Sequence, residues 1–210
     1  MKVYGSIIAK NRRDFNDKID YLSPHFKNIQ IDIMDGDFVK NKTFTNIPNL
    51  KEYSNNFQVH LMVKDPEKYL IQYIEHGIKN FILHYESYRS KKKLDSVISF
   101  LKKERKKVGL CINPKTDVSR LFDYIDKVDY FQIMTVNPGK YGARFLPKTL
   151  DKVKILRSTT KKDIYVDGSV NDETISLMNK AGANMFIVGS YFKNSQDLRR
   201  SKKELRKKIK

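Results

Sequence analysis

Short apolar runs alternate with longer amphipathic stretches along the whole chain. The short runs are rich in branched aliphatic and aromatic residues, which is typical of buried strands. They predict strands over residues 3–8, 28–34, 57–62, 80–85, 107–112, 129–134, 163–166 and 184–188. The longer stretches repeat apolar residues at helical spacing. They predict helices over residues 14–25, 47–54, 65–76, 90–105, 117–124, 147–158, 171–181 and 194–208.

Strict alternation of strands and helices implies parallel strands joined by right-handed crossovers. Eight such units can close into a barrel, and the rival arrangement is an open doubly wound sheet. The rival is disfavoured because no glycine fingerprint follows the first strand and polar residues lie at nearly every strand end. We therefore predict an α/β protein with a (β/α)8 TIM barrel as a single domain over residues 1–210, with a basic C-terminal helix at about 193–210.

The second predicted strand carries chemistry on one face. Ile29, Ile31 and Ile33 alternate with polar or sulfur-bearing residues, among them Asp32 and Met34. A carboxylate inside a sheet is costly unless it is paired, which favours a ligand or an acid/base role for Asp32 over a solvated strand end. In a barrel the carboxyl ends of all strands meet at one mouth, where active sites of this fold lie.

Composition limits the class of protein. Cys111 is the only cysteine of the chain, which excludes an intramolecular disulfide and makes a buried, unreactive thiol the default interpretation. The first apolar run is broken too early for a secretory signal, and no run is long enough to span a membrane. We therefore expect a cytoplasmic protein without a membrane partner.

The formal net charge is +18. Such a charge attracts polyanions and would steer phosphorylated substrates to the protein. However, the chain is also rich in Ile, Asn and Tyr, so the excess of lysine belongs to a general compositional bias. We expect no specific nucleic-acid partner, and we expect a homo-oligomer.

A series of motifs follows the predicted strands in a specific order. They are Gly5-Ser-Ile7, Ile31-Asp-Ile-Met-Asp-Gly-Asp-Phe-Val39, Val59-His-Leu-Met-Val63, Asp65-Pro66, Val108-Gly-Leu110, Asn113-Pro114, Met134-Thr-Val-Asn-Pro-Gly139, Val166-Asp-Gly168 and Val188-Gly-Ser190. In this order the set resembles the ribulose-phosphate 3-epimerase family over nearly the whole chain. The resemblance implies an isomerase that inverts carbon 3 of a phosphorylated ketose, of the ribulose 5-phosphate and xylulose 5-phosphate type, through an enediolate.

The expected reaction needs a base on one face of the substrate and an acid on the other. Asp32 and Asp167 fit these catalytic roles. A divalent cation (Zn, Fe, Mn or Mg) held by Asp32, His60 and Asp167 would stabilise the enediolate as a Lewis acid. The family has a histidine where this chain has Gln30, whose amide oxygen is a poorer ligand for zinc or iron. Gln30 is therefore a predicted but weaker fourth ligand.

Small residues in the turns after the last strands predict a phosphate site, because backbone N–H groups there can approach oxyanions closely. The residues predicted to bind substrate and phosphate are Ser6, His60, Gly139, Gly142, Gly168, Ser169, Gly189 and Ser190. The resemblance also places Met34, Met62 and Met134 as a soft lining around the planar enediolate.

Other functions remain open on the sequence alone. The substrate could be a ketohexose 6-phosphate, because one branch of the family acts on such a sugar. A related barrel lyase is a second alternative, although that chemistry uses a lysine where this chain has Met34. A third is a silent sugar-phosphate binder that lost its metal through Gln30. His84 and Glu86 are expected to support the site without acting as catalysts.

Overall fold

The computed structural model describes residues 2–193 and 195–209. Within them, parallel strands form one closed barrel in which every strand pairs with its sequence neighbours and the last strand pairs with the first. The strands are β1 (Lys2–Ile7), β2 (Asn28–Met34), β3 (Asn56–Met62), β4 (Asn80–His84), β5 (Lys107–Ile112), β6 (Tyr130–Met134), β7 (Asp163–Asp167) and β8 (Met185–Val188). The predicted eight-stranded barrel is confirmed, with strand ends that differ by at most one residue.

Helices cover the outside of the barrel. They are α1 (Arg12–Leu22), α2 (Glu67–Glu75), α3 (Lys91–Lys103), α4 (Thr149–Thr159), α5 (Ile175–Lys180), α6 (Ser190–Lys193) and α7 (Leu198–Lys207), with 3-10 helices at Tyr85–Ser87 and Val118–Tyr124. Gly77 and Gly182, with φ of +92° and +110°, end α2 and α5 in the left-handed conformation that glycine adopts at no steric cost. Across the described helices, none is long and apolar enough to cross a membrane.

The helix predicted over residues 47–54 is wrong, because this segment has no helical structure. Ile47 and Leu50 are buried as the pattern required. However, Ile47 precedes Pro48, which disfavours a helical conformation for the residue before it. The backbone bonds instead to the end of α2: Leu50 N donates to His76 O (2.9 Å) and Ile47 O accepts from His76 Nδ1 (2.7 Å).

Two further helix predictions need correction. Residues 118–124 form a 3-10 helix, in which Val118, Leu121 and Tyr124 are buried. Their spacing of three residues matches the three residues per turn of that helix. The C-terminal helix begins later than predicted, because Asp197 accepts a hydrogen bond from Arg200 N (3.0 Å) and caps α7.

The predicted apolar stripe of the C-terminal helix is present. Leu198 and Leu205 are buried, and Ile209 packs against the core. Asn194 and Lys210, which lie at the predicted helix boundaries, fall outside the described residues.

The two faces of the barrel strands differ in character. Outward-facing aliphatics such as Ile29, Ile31 and Ile33 join the helices in one apolar core. The inside contains tyrosines at its amino-terminal end, where the Tyr4 and Tyr165 hydroxyls lie 2.9 Å apart, and polar side chains nearer the mouth. The inward-facing positions near the mouth are therefore where the strands bring their polar side chains together.

The interior is closely packed at Gly109, which pairs with Tyr130 across β5 and β6. A Cβ at Gly109 would lie 2.2 Å from a Tyr130 ring carbon. We predict that Gly109→Ala lowers the free energy of unfolding by about 1–3 kcal/mol, since a rigid ring inside a barrel cannot move aside. Gly5→Ala is the matched control, because its Cβ would approach Leu22 and Phe26 side-chain atoms only to 3.3 Å, a distance that a small shift can accommodate. Urea unfolding with equal losses in both variants would contradict this packing.

Candidate active site

The strand register brings the predicted catalytic side chains to one level of the barrel. Across β2 and β3, Asp32 pairs with His60. On the other side of the barrel, Met134 of β6 pairs with Asp167 of β7. Because alternate residues of a strand share a face, these four side chains all point inward at the carboxyl end of the barrel. The structure brings Asp32, His60 and Asp167 together, and their catalytic and metal-binding roles stay predictions.

Two carboxylates flank one imidazole in this cluster. His60 Nδ1 lies 3.3 Å from Asp32 Oδ1 and 3.3 Å from Asp167 Oδ2. One donor atom from each residue lies within 4.8 Å of the others. The His60 ring is fully buried and Asp32 is 5% exposed, so bulk water does little to screen the two negative charges.

The concentrated negative charge appears in the pKa values. Burial raises the pKa of Asp32, and the neighbouring Asp167 carboxylate raises it further. Burial acts to lower the pKa of His60, but its hydrogen bonds to Asp167 and Asp32 outweigh that effect and hold the pKa well above the ordinary value. Both raised pKa values show that positive charge is favoured in this cluster, and either a proton or a cation can supply it.

The Gln30 side chain bridges the carboxylates with its amide nitrogen. Gln30 Nε2 donates to Asp32 Oδ1 (2.8 Å) and to Asp167 Oδ2 (2.6 Å), while its oxygen accepts from Gln58 Nε2 (2.8 Å). In this orientation the amide supplies positive hydrogens to the carboxylates and not a ligand oxygen to a cation. Ligation by Gln30 would require its amide to rotate, and it stays a prediction.

Gln132 is a site residue that the sequence analysis did not single out. Its Nε2 donates to Asp167 Oδ2 (3.1 Å) and lies 3.3 Å from each ring nitrogen of His60. The signal was available, because Gln132 lies two residues before Met134 and therefore on the same inward face. Gln30 has the same relation to Asp32.

Above the carboxylates opens a cavity, here called the mouth cavity, at the carboxyl ends of the strands. Asp32 and Asp167 lie at its floor, whereas Gln30 and His60, which was predicted to bind substrate, are fully buried and do not line it. The predicted substrate-binding and methionine positions that line it are Ser6, Met34, Met62, Met134, Gly139, Gly142, Gly168, Ser169, Gly189 and Ser190. The structure thus brings the predicted phosphate turns and the predicted methionine lining onto the same cavity.

Tyr141 covers part of the mouth cavity, and its position was not anticipated. Its hydroxyl donates to Ser6 O (3.0 Å) and accepts from Ile8 N (2.9 Å). A Cβ at Gly189 would lie 2.5 Å from a Tyr141 ring carbon, so the ring rests directly on that glycine. The loop after β6 therefore closes over the turn after β8 through one aromatic side chain.

His84 and Glu86 lie behind His60, away from the mouth cavity. His84 Nε2 is 2.7 Å from His60 Nε2, and His84 Nδ1 is 3.2 Å from Glu86 Oε2. The second Glu86 oxygen accepts from Asn113 N (2.8 Å) and from the Thr116 hydroxyl. This chain of contacts fits the expected supporting role, since it ties the His60 ring to the loop after β5.

The donor set at the floor of the mouth cavity fits a divalent cation. Two carboxylates and one imidazole converge from three strands, and such ligands suit zinc, iron and manganese. The observation that supports this fit is geometric: oxygens of both carboxylates lie 3.3 Å from the same His60 nitrogen, so three ligand atoms of the kinds that bind these cations converge on one point.

The sequence of this chain is similar to those of known proteins. Residues 2–193 match the model of the Ribulose-phosphate 3 epimerase family. The ribulose-phosphate 3-epimerase of Schizosaccharomyces pombe is 34% identical over 170 residues, which cover 77% of this chain and 73% of that protein. The ribulose-phosphate 3-epimerase of Bacillus subtilis is 33% identical over 195 residues, which cover 85% of each.

Solved structures share the fold at lower identity. A 3-hexulose-6-phosphate synthase aligns with a TM-score of 0.74 over 100% of both chains at 15% identity. Thiamine phosphate pyrophosphorylase from Pyrococcus furiosus aligns with a TM-score of 0.63, at 17% identity, over 99% of this chain and 95% of that one. These likenesses show the barrel alone, whereas the sequence match carries the assignment: the chain belongs to the ribulose-phosphate 3-epimerase family.

Proposed function

We propose that this protein is an isomerase that inverts carbon 3 of a phosphorylated ketose by removing and returning a proton. The observation that carries the proposal is the convergence of Asp32 of β2 and Asp167 of β7 on the floor of the mouth cavity. Epimerisation next to a carbonyl needs two such groups, one for each face of the substrate. Family membership supports the same reaction.

The two carboxylates must hold different protonation states for this chemistry. Burial and the adjacent Asp167 raise the pKa of Asp32, which favours one proton shared between the pair over two full charges. Gln30 Nε2 donates to both carboxylates and Gln132 Nε2 donates to Asp167, so the two amides fix the carboxylate orientations. Either aspartate can then act as base while the other acts as acid, which is what a reversible epimerase requires.

Asp32, His60 and Asp167 would hold the divalent cation. When bound, the cation supplies Lewis-acid stabilisation of charge that develops on the substrate oxygens. The methionines at positions 34, 62 and 134 would contact the planar carbon skeleton with polarisable sulfur atoms. Their lack of charge keeps the cavity wall from competing for the transferred proton.

The phosphate group is assigned to the turns after β7 and β8. Gly168 has a φ of +118° and its Cβ would clash with Val136 at 2.4 Å, so this turn requires glycine. Together with Gly189 and Ser190, it presents backbone to the mouth cavity. A phosphorylated ketopentose is the preferred substrate, and a ketohexose 6-phosphate remains the second candidate because both carry the same phosphate and the same reacting carbon.

The first prediction for the active site concerns the two aspartates. Asp32→Asn and Asp167→Asn should each reduce kcat by about 10²–10⁴-fold, because an amide of nearly equal shape cannot take the proton. Asp123→Asn is the matched control, since the Asp123 side chain is 65% exposed and pairs with Lys91 at the surface. Circular dichroism should show an intact fold in all three variants. Full activity in either site variant would refute the two-base assignment.

The second prediction concerns the substrate. Ribulose 5-phosphate in deuterium oxide should acquire deuterium at carbon 3 without carbon–carbon cleavage, and unphosphorylated ribulose should react with a much lower kcat/KM, since binding energy from the phosphate supports the reacting centre. A released fragment would indicate a lyase, and no exchange would indicate a silent binder. Equal rates with and without phosphate would contradict the assigned phosphate turns.

The third prediction concerns Gln30. Gln30→His replaces an amide by an imidazole beside the carboxylates and should tighten the binding of zinc or ferrous iron, because borderline cations prefer nitrogen to an amide oxygen. Isothermal titration calorimetry on chelator-treated protein measures this directly. Gln58→His is a useful control, because Gln58 reaches the cluster only through Gln30. Unchanged or weaker affinity in Gln30→His would count against a cation at this position.

A further inference from the structure

Behind the carboxylates lies a second group of metal-binding side chains. His60 of β3, His84 of β4 and Cys111 of β5 are each fully buried. One donor atom from each residue lies within 4.8 Å of the others. The register places His84 directly opposite Cys111 across β4 and β5. Two imidazoles and a thiol are a typical ligand set for zinc and for softer dications.

His84 is already oriented as a ligand. Glu86 accepts hydrogen bonds from Asn113 N and from the Thr116 hydroxyl, which identifies it as an acceptor at the His84 contact as well. His84 therefore carries its proton on Nδ1 and presents an unprotonated Nε2 to the interior. A histidine whose second nitrogen donates to a carboxylate is the usual arrangement around a protein-bound metal.

His60 is shared between the two groups through its opposite nitrogens. Nδ1 faces Asp32 and Asp167, and Nε2 faces His84. A neutral imidazole has one lone pair available for a cation. With the proton on Nε2, the ring donates to His84 and leaves Nδ1 for the carboxylate side. With the proton on Nδ1, the ring donates to a carboxylate and leaves Nε2 for the side of Cys111.

Gln132 offers a fourth donor to the second group. Its side chain is fully buried, and Oε1 has no hydrogen-bond partner within the described part of the chain. The amide nitrogen lies 3.3 Å from His60 Nε2. Rotation of the amide, whose two ends have nearly the same shape, would place the unpartnered oxygen beside that nitrogen and would break the Nε2 hydrogen bond to Asp167, so Gln132 serves one group at a time. Two nitrogens, one sulfur and one oxygen complete a tetrahedral set.

We propose that Cys111, His84, His60 Nε2 and Gln132 form a second cation site, selective for thiophilic dications such as Cd²⁺ or Zn²⁺. The cation replaces the thiol proton of Cys111, which is released to solvent. Because His60 serves both groups, a cation here and a cation between Asp32 and Asp167 exclude one another. The exclusion rests on the proposed function, because it assumes a cation between Asp32 and Asp167. The binding of a cation to Cys111 does not depend on that function. We therefore expect thiophilic cations to inhibit the enzyme by withdrawing His60 from the active site.

Cadmium absorption tests the site directly. A thiolate bound to Cd²⁺ gives an ultraviolet charge-transfer band, and in a chain with one cysteine the band can arise only from Cys111. Wild-type protein should develop the band to saturation at one equivalent of Cd²⁺. Cys111→Ala should abolish it, and His84→Gln, which keeps the thiol, should weaken the affinity by about tenfold or more. A wild-type titration without a band, or a band of equal affinity in His84→Gln, would overturn the proposal.

Competition with Mn²⁺ tests the shared ligand. In wild-type protein loaded with Mn²⁺, electron paramagnetic resonance should show release of Mn²⁺ in step with growth of the cadmium–sulfur band. Mn²⁺ that stays bound while the band saturates would refute the exclusion. If the protein shows the band but no epimerase activity, the proposed function fails and the second site stands, so the two failures are distinguishable.

Discussion

The arrangement of polar groups inside this barrel depends on two carboxylates that lie beside one imidazole. Asp32 and Asp167 lie 3.3 Å from the same His60 nitrogen, in a position that water hardly reaches. Such a cluster is costly in a protein interior unless positive charge or hydrogen-bond donors offset it. The donors include the amides of Gln30 and Gln132 and, when protonated at Nδ1, His60 itself. They offset part of the charge, and the remainder is available to a proton or a cation during the reaction.

The barrel makes this concentration of polar groups tolerable by separating its two surfaces. The outward faces of the strands hold aliphatic residues that pack against the helices, so the main apolar core lies apart from the polar groups inside the barrel. The inward faces hold a packed tyrosine layer at one end and chemistry at the other. Behind the carboxylates, the chain from His60 through His84 to Glu86 ties the imidazole to the loop after β5. A change in that loop can therefore reach His60 through three successive hydrogen bonds.

Much of this arrangement follows from local patterns in the sequence. The alternation of apolar and polar residues along 29–34 already assigns Asp32 and Met34 to one face of the strand. The number of predicted strands, and the polar residues at their ends, together predict the barrel. The exceptions depend on partners distant in sequence. The conformation of residues 47–54 depends on hydrogen bonds to His76 at the end of α2. The position of Tyr141 depends on its packing against Gly189 and its hydrogen bond to Ser6. Cys111 meets His60 and His84 only because three strands share a register, which no local pattern encodes.

The central claim is that Asp32 and Asp167 serve opposite faces of carbon 3. Hydrogen exchange into each epimer separately tests it most directly, because a variant that lacks one base can still exchange the proton that the other base removes. We expect Asp32→Asn to exchange deuterium into one of ribulose 5-phosphate and xylulose 5-phosphate, and Asp167→Asn to exchange it into the other. The same epimer preference in both variants would contradict the account.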